Sequence, residues 1–198
     1  TRHARLTPQG QVAPEPSALP AGFFGLVENG LAAYSQGYGI LHTSSIAVRR
    51  QAWQRSGGFP PGARKSQDIH LWLRLLLTEP FAHSDICTAI WHEEATGVVR
   101  RSGAMPAHFS YFLGTPEGRA HLKNPDLVTF LATNLISHVG GHRLRQDDQV
   151  VGQMVQLSKA LPLADRIKIK LIAHMPRTLL DKIAQRRRQA RKAACHPT

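Results

Sequence analysis

One carboxylate stands out among the residues able to do chemistry. Asp68 follows Ser66 and Gln67 and opens a stretch in which Ile69, Trp72, Leu73, Leu76 and Leu77 recur at helical spacing. An aspartate in the first turn of a helix sits where the peptide dipoles favour negative charge. A carboxylate held there can take the proton from a hydroxyl that must become a nucleophile, given a separation of about 2.6 to 3.2 Å. The same position suits an acid that only complements the dipole, so spacing alone leaves both roles open.

The neighbours carry paired readings too. Trp72 lies one turn beyond Asp68 on the same face, where an indole either stacks on a sugar ring or anchors a core. Arg74 is either a bidentate donor to an anion or a solvated helix residue. Gly57 and Gly58 let a ligand approach the backbone or simply end a helix. Thr43, Ser44 and Ser45 offer hydroxyls from an expected strand, and His92 follows another. His70 is expected at the surface. His138 and His142 have the spacing of helical metal ligands, but Gly140 and Gly141 between them argue against a rigid helix and no third ligand is near.

The order His42-Thr-Ser-Ser45, Arg49-Arg50, Gly57-Gly58-Phe59, then Ser66-Gln67-Asp68-Ile-His-Leu-Trp72-Leu-Arg74 resembles the second half of family-two glycosyltransferases, over about residues 40 to 101. The resemblance implies an α/β domain of the nucleotide-sugar transferase A-fold, with Asp68 as general base and inversion at the anomeric carbon. It implies substrate contacts from Gln67, Trp72, Arg74, Gly57, Gly58, Ser44 and Ser45. It further implies a nucleotide-diphosphate sugar donor, Mg²⁺ or Mn²⁺ with His92 nearby, and a glycan or lipid-linked acceptor of the kind used for cell-envelope polysaccharide. The chain departs from the family at Gln67, where an acid commonly precedes the aspartate. No Asp-x-Asp motif follows an apolar strand, and Asp147-Asp148 follows a polar run instead. The expectation is therefore a partial domain lacking its donor-binding half, and a start at Thr1 fits a fragment.

Positioning these residues requires particular elements. Residues 7 to 24 hold Pro8, Pro14, Pro16 and Pro20 and read as a loop. Phe24 to Tyr34 reads as a helix, Ile40 to Val48 as a β-branched strand, and Arg49 to Arg55 as a short helix closed by Gly57. Ser66 to Leu77 is the clearest helix, with Ser66 as cap, and Ile86 to Trp91 reads as a strand. From about Leu127 the pattern is helical, with breaks expected at Gly140-Gly141, Pro162 and Pro176 and fraying in the last dozen residues. Residues 1 to 114 are expected to form the transferase part and 115 to 198 a helical appendage.

The net charge is +12 over 198 residues, yet ten basic and two acidic residues fall between Asp165 and Lys192, so about +8 belongs to the tail. Apolar Ile167, Ile169, Leu171, Ile172, Met175, Leu179, Leu180 and Ile183 alternate there with Lys168, Lys170, Arg177 and Lys182. That mixture suits either an anionic membrane surface or a helix packed on the core. Nucleic acid is disfavoured, because no aromatic residue lies in the basic tail to stack on a base. Cys87 and Cys195 have no paired spacing, and no apolar run is long enough to span a bilayer, so a cytoplasmic protein, peripheral at most, is expected. No phosphate loop, Gly-x-Gly-x-x-Gly or Gly-x-Ser-x-Gly appears, which leaves nucleotide-triphosphatase, dinucleotide and hydrolase readings unsupported.

Overall fold

The computed structural model describes residues 1–6, 10, 12–14, 17–92 and 103–194. It is mixed α and β, with helix predominating over two small sheets among the described residues. The chain divides into two compact units, residues 1–130 and 131–198.

In the first unit, β1 (Arg2–Leu6) lies between β2 (Val12–Pro14) and β5 (Cys87–His92), antiparallel to β2 and parallel to β5. A second sheet pairs β3 (Phe24–Val27) antiparallel with β4 (Phe81–Ser84). Asp85, between β4 and β5, accepts from Arg2 Nη1 at 2.8 Å and from Gly22 N–H at 2.7 Å. The Gly22 amide, more than the Arg2 partner, holds its carboxyl below the usual range.

The helices of this unit are α1 (Gly30–Gln36), α2 (Arg50–Ser56), α3 (Gln67–Thr78), α4 (Ala107–Phe112) and α5 (Pro116–Ala120). The centre of α3 is covered on every side, with His70, Leu71, Trp72, Leu73 and Leu75 buried. Leu71, Leu73, Phe109, Phe112 and Leu113 are all sealed from solvent, each apolar side chain contributing about 1.5 to 3 kcal/mol. α6 (Pro125–Leu144) begins here and continues into the second unit, which holds α7 (Asp148–Leu157), α8 (Leu163–His174) and α9 (Arg177–Ala194).

Several expectations need correction. The helix expected over Phe24 to Tyr34 is instead β3 followed by α1, because Asn29 Oδ1 accepts from Ala32 N–H at 2.9 Å and starts the helix there. The strand expected over Ile40 to Val48 is two 3₁₀ turns, Tyr38–Ile40 and Thr43–Ser45. Local side-chain bonds win there: Ser44 N–H donates to His42 Nδ1 at 3.3 Å, and Ser45 Oγ reaches His42 O at 3.3 Å. The loop expected over residues 7 to 24 contains β2, and residues 7–9, 11, 15 and 16 lie outside the described ones. α6 runs through Gly140 and Gly141 with Val139 and His142 buried on either side, so the chain breaks only after Leu144. Of the last dozen residues, expected to fray, 187–194 remain in α9, and 195–198 lie outside the described ones.

A backbone contact fixes α5. Thr115 Oγ1 accepts from Gly118 N–H at 3.0 Å and itself lies 3.1 Å from Tyr111 O. A Cβ on Gly118 would fall 2.1 Å from that same carbonyl oxygen, which belongs to rigid α4 backbone. Helix propensity favours alanine over glycine by about 1 kcal/mol, yet the clash requires a shift of one helix against another. Gly118→Ala is expected to destabilise the fold by about 3 kcal/mol in denaturant titration. A variant as stable as its parent would show that α4 and α5 do not approach this closely.

Candidate functional site

The N-terminus of α3 gathers the site. Ser66 precedes the helix in left-handed backbone, φ 55°, and its side chain makes no cap bond. The expected serine cap is thus replaced by a strained turn, which leaves the first-turn amides without that acceptor. Asp68 is half-buried beside them. Its Oδ1 accepts from Ile69 N–H at 2.8 Å, and its Oδ2 accepts from Thr43 Oγ1 at 3.4 Å. One oxygen is therefore fixed by backbone, while the other makes only a long bond and keeps room for a further donor.

Thr43 and Ser44 are exposed on the turn that faces Asp68. Ser45 is buried instead. Its Oγ lies 3.2 Å from Thr1 O and 3.3 Å from His42 O, and its carbonyl accepts from Thr1 at 2.9 and 3.1 Å. Thr1 Oγ1 also bonds Thr88 Oγ1, so Ser45 ties the turn to the β1–β5 sheet. Behind the turn His42 stacks on buried His3 with ring centroids 4.3 Å apart. This stack joins distant segments, and no local sequence signal announces it.

The remaining residues divide by helix face. Gln67 is exposed next to Asp68. Trp72 is 3% exposed and lines an apolar cavity of about 560 Å³ with Ile40, Leu75 and Phe81, so its indole is a core group. Arg74 turns to another side, its guanidinium carbon 5.3 Å from the Tyr111 ring centroid. Gly57 takes φ 74° and ends α2; a Cβ there would meet Arg74 Nη1 at 3.2 Å. Gly58, φ 65°, lies against the Trp53 indole, which in turn meets Phe59 edge-on at 5.0 Å. The Gly-Gly-Phe segment thus packs on α2 and on Arg74.

His70 is not at the surface. It is 3% exposed and sits edge-on to Tyr111 at 5.0 Å. Burial first, and Arg74 second, lower its pKa to about 4, against a smaller upward pull from the Ala107 backbone.

His92 is the exposed last residue of β5, opposite Leu6, while Glu93, Glu94 and Arg101 lie outside the described residues. His138 and His142 do share a face of α6, with ring centroids 6.3 Å apart, and His142 Nδ1 lies 3.0 Å from Asp147 Oδ2. Among the described residues no group of three histidine, cysteine or acidic side chains is placed to hold a metal ion. The described residues therefore do not fit the divalent cation that the resemblance implies, and no chemistry is routed through one. Compared with known proteins, the chain matches no family model, no curated protein and no solved structure.

Proposed function

We propose that this chain is the acceptor-side part of an inverting, A-fold nucleotide-sugar glycosyltransferase, with Asp68 as general base. The observation that carries the reading is the Asp68 carboxylate: one oxygen pinned by Ile69 N–H, the other facing exposed Thr43 with capacity to spare. An acceptor hydroxyl bound between Thr43 and Gln67 gives its proton to Asp68 Oδ2 as its oxygen bonds the anomeric carbon. The bond from that carbon to the nucleotide diphosphate breaks on the opposite side, and the diphosphate leaves with the electron pair. The parallel β1–β5 pair beside these helices is compatible with an α/β transferase domain. Donor recognition has no counterpart in the sequence at hand, so the reading assigns the acceptor side alone.

Titrating the ¹⁵N-labelled chain with a panel of mono- and disaccharides, followed in amide correlation spectra, tests this on the chain itself. Sugar binding that shifts the Thr43 and Gln67 resonances supports the assignment. Absence of binding across the panel, or binding confined to residues away from the α3 N-terminus, would overturn it. A second reading, a membrane-surface module, rests on α8 and α9 and is independent of Asp68.

A further inference from the structure

α8 exposes an apolar stripe that its fold does not use. Ile169 and Ala173 are buried, and they lie on the face opposite Leu163, Ile167 and Leu171. Those three residues, spaced by four, remain 65%, 50% and 63% exposed. Lys170 and His174 flank the stripe on one side and Lys168 on the other, all exposed. Lys168 Nζ is 3.3 Å from Asp165 Oδ1 and Lys170 has no acidic neighbour among the described contacts. The sequence pattern had grouped Ile169 and Leu180 with the apolar set, but both are buried, whereas Leu163 belongs to the stripe.

We infer that α8 docks on an anionic lipid surface, its axis in the membrane plane and Leu163, Ile167 and Leu171 inserted at the level of the acyl boundary. Charge complementarity selects this occupant. About +8 of the net charge lies between Asp165 and Lys192, and lysines border the stripe on both flanks, where they meet lipid phosphates as the apolar row enters. A second copy of this face would set lysines against lysines. A nucleic acid duplex would satisfy the lysines but leave the three apolar side chains in water. At 12 residues α8 is about 18 Å long, too short to cross a bilayer, and among the described residues no helix is long and apolar enough to do so.

Vesicle flotation of the full chain tests the inference, using phosphatidylcholine alone and phosphatidylcholine with about a third phosphatidylglycerol. The chain is expected to float with the anionic vesicles only. Combined Leu163→Gln, Ile167→Gln and Leu171→Gln should weaken that partitioning on the order of a hundredfold. Lys168→Gln and Lys170→Gln should each weaken it about fivefold. All five positions are exposed, and circular dichroism and a cooperative melt check that the variants fold. Equal flotation with neutral vesicles, flotation unaffected by the triple substitution, or no flotation of the parent would each overturn the inference. So would concentration-dependent dimerisation that the triple substitution abolishes while leaving vesicle binding intact.

Discussion

On the proposed reading, Asp68→Asn is expected to lower sugar transfer by about a thousandfold in kcat while changing acceptor affinity less than about threefold. The split follows from the geometry. An asparagine keeps the shape and its carbonyl oxygen still accepts from Ile69 N–H, so the turn and the helix start survive. What disappears is the second acceptor opposite Thr43, because an amide nitrogen donates and cannot take a proton. General-base catalysis is worth about 10² to 10⁴-fold, and the expected loss lies at the centre of that range. Stability should stay within about 0.5 kcal/mol of the parent, as for other solvent-accessible substitutions. Transfer retained within tenfold would remove Asp68 from the mechanism, whereas equal losses in affinity and rate would make it a binding residue.

Legibility from sequence followed the range of the interactions. α2 and α3 announced themselves because their signals are local: Gly57 takes the left-handed conformation that ends α2, and apolar spacing over Ile69 to Leu77 buries the middle of α3. β5 was readable from its β-branched and aromatic content. β1 was not, since its strand character comes from pairing Arg2 with Cys87 and Leu6 with His92 across most of the unit. Thr43 to Ser45 misled for the opposite reason: its composition suits a strand, but the short polar side chains bond their own backbone and curl it into a turn. That turn is what brings Thr43 to Asp68, so a helix legible at once and a turn read as strand together make the site. His70 was misread because its helix lies beneath α4, a contact with no counterpart in periodicity.

The same hidden contacts make the fold sensitive to acid. Stability is expected to fall between about pH 6.5 and pH 4 as the unfolded chain, but not the folded one, takes up protons. His3 and His70 are 5% and 3% exposed, and neither Nδ1 has a hydrogen-bond partner among the described residues. Burial is the main cause that lowers both pKa values to about 4, with His42 and Arg2 adding to it at His3 and Arg74 at His70. His83 is lowered in the same sense, also by burial. A base with a depressed pKa stabilises the fold above its unfolded value of 6.5 and loses that contribution as pH falls toward the folded value. At pH 5 the loss is about 2 kcal/mol per imidazole for His3 and His70, near 4 kcal/mol together. Urea titrations at pH 7 and pH 5 measure it. His3→Gln with His70→Gln should cost stability at pH 7 yet flatten most of the difference between the two pH values, because neither glutamine titrates. Asp85 responds in the same direction but at lower pH, losing its contribution only as pH falls below the ordinary carboxylate range, so it does not enter this window. A pH 5 midpoint equal to that at pH 7 would mean that His3 and His70 are hydrated rather than sealed, and that neither β1 against the Thr43–Ser45 turn nor α3 against α4 packs as described.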